Sequence, residues 1–270
     1  MARRKKGNPV HGWIILDKPA GITSTQAVGK VRWLFQAQKA GHAGTLDPLA
    51  TGVLPIALGE ATKTVPFAVD GQKAYRFTVR WGVETNTDDS DGRMTQESAA
   101  RPARADIEGL LPRFTGEILQ TPPQFSAIKI AGERAYDIAR EGEQVELKPR
   151  AVSIHALTLI ESSADEATFV MECGKGAYVR ALARDMGRVL GCFGHVTALR
   201  RTRVGPFIEE DAYTLDEIEN QNMAGEALLS VEAGLAELPC VVVDRDTAAR
   251  LRRGGSVILR GRDAPHEGVV

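Results

Sequence analysis

The chain has 270 residues, 43% of them hydrophobic, and a formal net charge of −1 at pH 7. That size and apolar content suit one sizeable core, or one large domain beside a small one. Three widely spaced cysteines, Cys173, Cys192 and Cys240, form no CxxC pair and no Cys/His cluster, which argues against a disulfide framework or a zinc site. No stretch reaches membrane-spanning length, and the basic start Met1–Lys6 leads into no apolar run, so the expectation is a soluble, cytoplasmic protein.

In chain order, Gly12–Leu16 reads as a short apolar strand that ends in the turn Asp17-Lys18-Pro19-Ala20-Gly21. A helix follows, with Thr23, Ser24 or Thr25 as cap and Ala27, Val28, Val31, Leu34 and Phe35 as its apolar face. Gly41–Gly52 is rich in glycine and small residues and holds the dipeptide Asp47-Pro48, which favours a rigid loop over helix or strand. Val53–Leu58 suits a buried strand, and Lys73–Val83 alternates, with Tyr75, Phe77, Val79, Trp81 and Val83 on one side. Glu84–Gly92 is an acidic, turn-rich loop, and Asp106–Phe114 has a helical pattern. Thr121–Arg150 opens on Thr-Pro-Pro, has few core signals and carries charges of both signs, as an inserted excursion would. Thr168–Cys173 reads as a strand that turns through Gly174-Lys175-Gly176 into a helix with the stripe Val179, Leu182, Ala183, Met186, Val189 and Leu190. Val231–Pro239 marks a boundary, after which Val241–Val243 begins a β-like unit too short to hold a core alone. Interleaved helices and long alternating strands predict an α+β fold with a mixed, largely antiparallel sheet.

The small net charge conceals an asymmetry. Val204–Leu238 holds nine acids and no Lys or Arg, which leaves the remainder at +8. Lys175–Arg203 holds seven basic groups against one acid. That excess can neutralise phosphates, or it can be a solvated helix face. Leu199–Phe207 reads as a basic turn suited to phosphate contacts.

Asp47 is either a turn-forming aspartate or a reactive carboxylate fixed by the following proline. His42 and Asp47 form a conceivable metal pair that lacks third and fourth ligands, and Ser24, His42 and Asp47 form a conceivable triad that lacks the GxSxG elbow. Arg180, outside its helix's apolar stripe, is a surface cation or the partner of a carboxylate in a cleft. Tyr75 suits core packing as well as a site, and Tyr178 precedes the helix. No GxGxxG follows the first strand and no GxxxxGK[ST] occurs, so dinucleotide and P-loop readings lack support.

Five segments, taken together and in order, resemble the TruB-type pseudouridine synthases. They are Gly12–Pro19, Gly41-His42-Ala43-Gly44-Thr45-Leu46-Asp47-Pro48, Tyr75-Arg76-Phe77, Gly174–Arg180 and His195–Phe207. The second is the most specific, and the match spans about Gly12 to Thr214. The resemblance implies the pseudouridine synthase fold over residues 1–238, with 121–150 as an RNA-gripping insertion and 239–270 as a partial or truncated β-type, PUA-like segment. It implies isomerisation of uridine to pseudouridine in tRNA, at uridine 55 of the TΨC loop, by base flipping. No cofactor or metal is expected, and neither is an obligate protein partner; the chain is expected to act as a monomer. Asp47 would be the catalytic aspartate, Tyr75 would stack on the flipped uracil and relay a proton, and Arg180 would pair with Asp47. His42 would fill the gap left by the base, Tyr178 and Leu199 would line the pocket, and Lys18 and Pro19 would support it. A non-catalytic RNA-binding protein on the same scaffold would have no need of Asp47, Tyr75 and Arg180 together.

Overall fold

The computed structural model describes residues 7–126, 129–130, 133–134, 147–220 and 225–258. Most of the expected insertion at 121–150 therefore lies outside the described residues. The chain divides into two compact units, Met1–Ala236 and Glu237–Val270.

In the first unit a ten-stranded sheet carries the fold. Its strands are β1 (Gly12–Lys18), β2 (Ala40–His42), β3 (Thr51–Leu58), β4 (Lys73–Trp81), β7 (Gly116–Gln120), β10 (Arg150–Ser162), β11 (Glu166–Cys173), β12 (Gly194–Val204), β13 (Phe207–Ile208) and β14 (Leu228–Leu229). Two small hairpins stand apart from it, β5 (Val83–Thr85) with β6 (Met94–Glu97), and β8 (Lys129–Ile130) with β9 (Glu133–Arg134). The order through the sheet is β14-β1-β3-β12-β4-β11-β10-β7. Among the described strand pairs every pairing is antiparallel except β3 with β12. The helices are α1 (Ser24–Leu34), α2 (Val65–Asp70), α3 (Arg104–Leu110), α4 (Val179–Val189) and α5 (Leu215–Glu219).

Alternation sorts the strands onto two cores. Ile14, Leu16, Leu54 and Ile56 join Tyr75, Phe77, Val79 and Trp81 of β4 on one face, where α1 and α4 cover them. Trp13, Ile15, Val53 and Ala57 point the other way into a smaller cluster with Ala68 and Phe207. A strand with both faces covered reads as a continuous apolar run, which is why β1 and β3 look unbroken in sequence. Helix α1 starts at a capping box, with Thr23 accepting from the Gln26 N–H and Gln26 reaching back.

Three expectations are corrected. Leu199–Val204 is no turn but the second half of β12; its arginines mask the strand period because two of them, Arg200 and Arg201, are engaged inside the molecule. Val189 leaves the stripe of α4 and is exposed at the helix's final position. Beyond Glu237, the described residues form no strand. Val241–Val243 have no regular secondary structure, and Asp244, by accepting from the Thr247 N–H, caps the helix α6 (Arg245–Arg252) where the β-type segment was expected; residues 259–270 lie outside the described residues.

Candidate active site

The glycine-rich segment becomes a loop fastened from below. Gly44 adopts φ +98°, a left-handed conformation open to glycine. Ser24, buried at the start of α1, donates from Oγ to the Leu46 carbonyl at 3.0 Å and accepts from the Leu46 N–H at 2.8 Å. Arg201 on β12 donates to the carbonyls of Gly44 at 3.0 Å and Thr45 at 3.3 Å. Lys18, at the end of β1 and fully buried, donates to the carbonyls of Pro19, Ile22 and Pro48. Burial lowers its ammonium to about 8, and Asp47 partly opposes that shift.

These anchors decide how Asp47 is used. Its backbone carbonyl accepts from the Ala50 N–H at 3.1 Å, so the main chain closes the turn. The side chain is left for other work, and Oδ2 meets Arg180 Nε at 2.9 Å. The turn-forming alternative is therefore unnecessary. The triad alternative fails because the Ser24 hydroxyl is engaged with Leu46. Among the described residues no three His, Cys, Asp or Glu side chains converge as metal ligands.

Arg180 sits in the first turn of α4 and is 5% exposed, whereas Asp47 is 34% exposed. The rest of the guanidinium is also held: Nη1 meets Asp89 Oδ2 at 3.3 Å and donates to the Thr87 carbonyl, and Nη2 donates to the Phe125 carbonyl. Asp89, which the sequence reading left within an acidic loop, thus belongs to the site. A signal existed. Arg180, Arg184 and Arg188 recur every fourth residue along one side of α4. They meet Asp89, Asp88 and Glu84 respectively. Burial raises the carboxyls of Asp88, to about 6, and of Asp89, against the pull of neighbouring arginines.

A cavity of about 260 Å³ opens beside this pair. Asp47, Tyr75, Tyr178, Arg180, Leu199 and Arg201 line it, together with Val69 and Lys73. Burial pushes both phenols, Tyr75 and Tyr178, above the usual range. Tyr178 is fixed by Gln120, which accepts from its N–H at 2.7 Å and donates to its carbonyl at 3.1 Å. Tyr75 belongs at once to the core face of β4 and to the cavity wall.

Three of the expected site residues lie outside the wall of this cavity. Lys18 and Pro19 line a separate cavity of about 440 Å³ with Asp17, Thr51 and Arg200. Lys18 touches the active loop only from behind. His42 lies on β2, partly buried, outside the wall of the first cavity. The basic cluster is also largely spent within the protein. Lys175 pairs with Asp70, Arg184 with Asp88 and Asp185, Arg188 with Glu84, and Arg200 with Asp17 and Glu209. Much of the excess charge read from Lys175–Arg203 is thus matched by ion pairs among the described residues.

The site sits inside a region with known relatives. Residues 32–179 match the family model described as TruB family pseudouridylate synthase (N terminal domain), and residues 180–238 match that of the tRNA pseudouridylate synthase B C-terminal domain. A protein of Rhodopseudomonas palustris named tRNA pseudouridine synthase B is 59% identical over 97% of this chain and 74% of its own length. One of the same name from Mesorhizobium japonicum is 54% identical, over 99% of this chain and 90% of its own length. Among solved structures, a chain of a Cbf5-Nop10-Gar1 complex superposes with a TM-score of 0.73 at 28% identity, covering 91% of this chain and 68% of that one. A chain from an H/ACA RNP bound to a substrate RNA containing 2′-deoxyuridine gives 0.72 at 24% identity over 95% of this chain and 74% of that one, a shared fold.

Proposed function

The chain belongs to the TruB family of pseudouridylate synthases, and on that premise we propose that it isomerises uridine 55 in the TΨC loop of tRNA, with Asp47 as its catalytic group. The observation that carries the site assignment is the 2.9 Å contact between Asp47 and Arg180 at the edge of the cavity. Names of close relatives support tRNA as the substrate.

The reaction breaks the N1–C1′ bond of uridine and rejoins the ring through C5. The target base must leave its stack, at a cost of roughly a few kcal/mol. In this reading His42 takes up the space the base vacates, and Tyr75 stacks on the everted ring while Tyr178 and Leu199 close the pocket around it. The base turns while detached, which suits walls that are mostly aromatic and aliphatic. Asp47 acts as an anion on the nucleoside. The Arg180 guanidinium, with two carboxylates in reach, fixes the nearer one in direction. Lys18 supports the loop that carries Asp47, with Pro19 beside it, and neither touches the base. The insertion at 121–150 grips the RNA; Arg184 and Arg180 hold its root through the carbonyls of Thr121 and Phe125. The enzyme works in the cytoplasm, on its own, as a monomer.

The test is incubation of the protein with unmodified tRNA followed by mapping of pseudouridine at single-nucleotide resolution. Conversion confined to position 55 is the expected result. Conversion elsewhere would overturn the position, and binding without conversion would overturn the activity.

A further inference from the structure

Arg201 is a buried cation that the mechanism above leaves unused. It is 1% exposed. Among the described residues Arg180, Arg184, Arg188 and Arg200 each pair with a carboxylate, and Arg201 pairs with none. A guanidinium buried without a counter-ion is costly, so its position calls for a physical reason. Part of the reason is the active loop. Nε donates to the Val53 carbonyl at 2.8 Å, and the two Nη atoms donate to those of Thr45 and Gly44. Guanidinium carries five N–H donors, so these three bonds leave others to use. Tyr75 is its cross-strand partner in the β12–β4 register, and the phenol lies beside the guanidinium. Both residues line the cavity.

The chemistry proposed above supplies a role for that arrangement. When the N1–C1′ bond breaks, the electron pair stays with the base, and the detached uracil holds negative charge over N1, O2 and O4. C1′ is left electron-deficient beside the Asp47 anion; the ring turns, C5 bonds to C1′, the C5 proton is released to water and N1 takes one proton from water, so the product is an isomer with no net gain or loss. A fixed donor aimed at the charge on the detached base lowers the barrier to its release.

We propose that Arg201 is a positioning residue for this step: it polarises the Tyr75 hydroxyl, which donates a hydrogen bond to the detached, anionic uracil. A hydroxyl whose oxygen lies beside a buried cation is strengthened as a donor, because in a low-dielectric interior the field of the cation polarises the O–H bond. Among the described residues no carboxylate forms an ion pair with Arg201; Asp47, on the same cavity, acts on it only through space and is itself paired with Arg180. Burial raises the proton affinity of Tyr75 and so keeps the phenol protonated, as a donor must be. The inference rests on the isomerase reading and adds to it a route by which a buried charge reaches the base.

The test compares Arg201→Met, Tyr75→Phe and the double variant in single-turnover conversion of tRNA, with tRNA affinity measured in parallel. Each single variant is expected to convert roughly ten- to a hundredfold more slowly, somewhat less than loss of a direct oxyanion donor, with affinity retained. The double variant should be no slower than Tyr75→Phe alone, since both changes break one chain. Losses that multiply, or a loss of affinity with the rate intact, would overturn the proposal. Should Arg201→Met fail to fold, Tyr75→3-fluorotyrosine in the otherwise intact protein serves. Its hydroxyl is the stronger donor, so faster conversion is expected, and slower conversion would overturn the proposal. Wild-type protein that converts no uridine would instead defeat the isomerase reading itself.

Discussion

Asp47 and Asp89 share one guanidinium, Arg180 meeting the first at 2.9 Å through Nε and the second at 3.3 Å through Nη1. The two carboxylates differ in access: Asp47 is 34% exposed at the cavity, while Asp89 is 5% exposed behind the arginine. The outer acid can meet a substrate and the inner one cannot. Asp47→Asn keeps the size of the side chain and an oxygen that accepts from Arg180, so it removes the charge alone. Pseudouridine formation is expected to fall by at least roughly a thousandfold, as for a group needed in the transition state, with tRNA affinity and melting temperature nearly unchanged. Release of label from C5-tritiated uridine in tRNA reads the outcome, and full turnover by this variant would sink the assignment.

Ser24 gives a prediction of the opposite kind, structural in origin and catalytic in effect. Its one hydroxyl satisfies both the N–H and the carbonyl of Leu46, the residue before Asp47. Ser24→Ala leaves those two backbone groups without that partner in a site closed to water. Each unsatisfied group costs about 1–3 kcal/mol, so a stability loss of about 2–6 kcal/mol is expected in denaturant melts. The loop then loses its register, and the turnover rate should drop while tRNA affinity stays. Ser24→Thr, which restores a hydroxyl, should recover part of both losses. A Ser24→Ala protein of unchanged stability and rate would show that the clamp does no such work.

Lys18 makes stability depend on pH in a predictable direction. Burial lowers its folded-state value to about 8, from 10.5 in the unfolded chain. Between those values the unfolded chain holds the proton that the folded protein has released. The slope of unfolding free energy follows the protons bound unfolded minus those bound folded, so it is positive there. The contribution of Lys18 to stability therefore rises between pH 8 and 10.5 and is flat below. Its ceiling is about 3 kcal/mol, at 1.36 kcal/mol for each pKa unit. The measurement is the stability of the wild type minus that of Lys18→Met across this range, which cancels the other lysines. A difference that stays level or falls with pH would contradict the burial argument.

Much of this site was legible in the sequence for a physical reason. Asp47-Pro48 in a glycine run has few compatible backbone conformations, and from Tyr75 to Trp81 the alternation of β4 is unbroken by charge on its buried side. Arg180 stood outside an otherwise apolar stripe. What escaped was placed by tertiary partners. Asp89 looks like any acid in a turn until α4 lies against it. Arg201 sits in a run of basic residues that reads as surface, and only the β3–β12 pairing reveals it as interior. Val241–Val243 had strand propensity without a partner strand, and the Asp244 cap set the local structure instead.

Two glycines separate a close approach from open space. Gly52 begins the crossing of β3 against β12, at φ +96°, and a Cβ there would lie 2.2 Å from the carbonyl oxygen of Arg201. Backbone cannot yield that distance without parting the strands that hold the active loop, so Gly52→Ala should leave little folded protein. Gly29, on the exposed side of α1, has an ordinary helical conformation and nothing within 4 Å of a new Cβ. There alanine removes the entropic penalty of glycine in a helix, and Gly29→Ala is expected to stabilise the protein by about 0.5–1 kcal/mol with conversion of tRNA unchanged. Parallel thermal melts of the two variants make the comparison. A well-folded Gly52→Ala protein would mean that β3 and β12 do not approach as closely as their register requires.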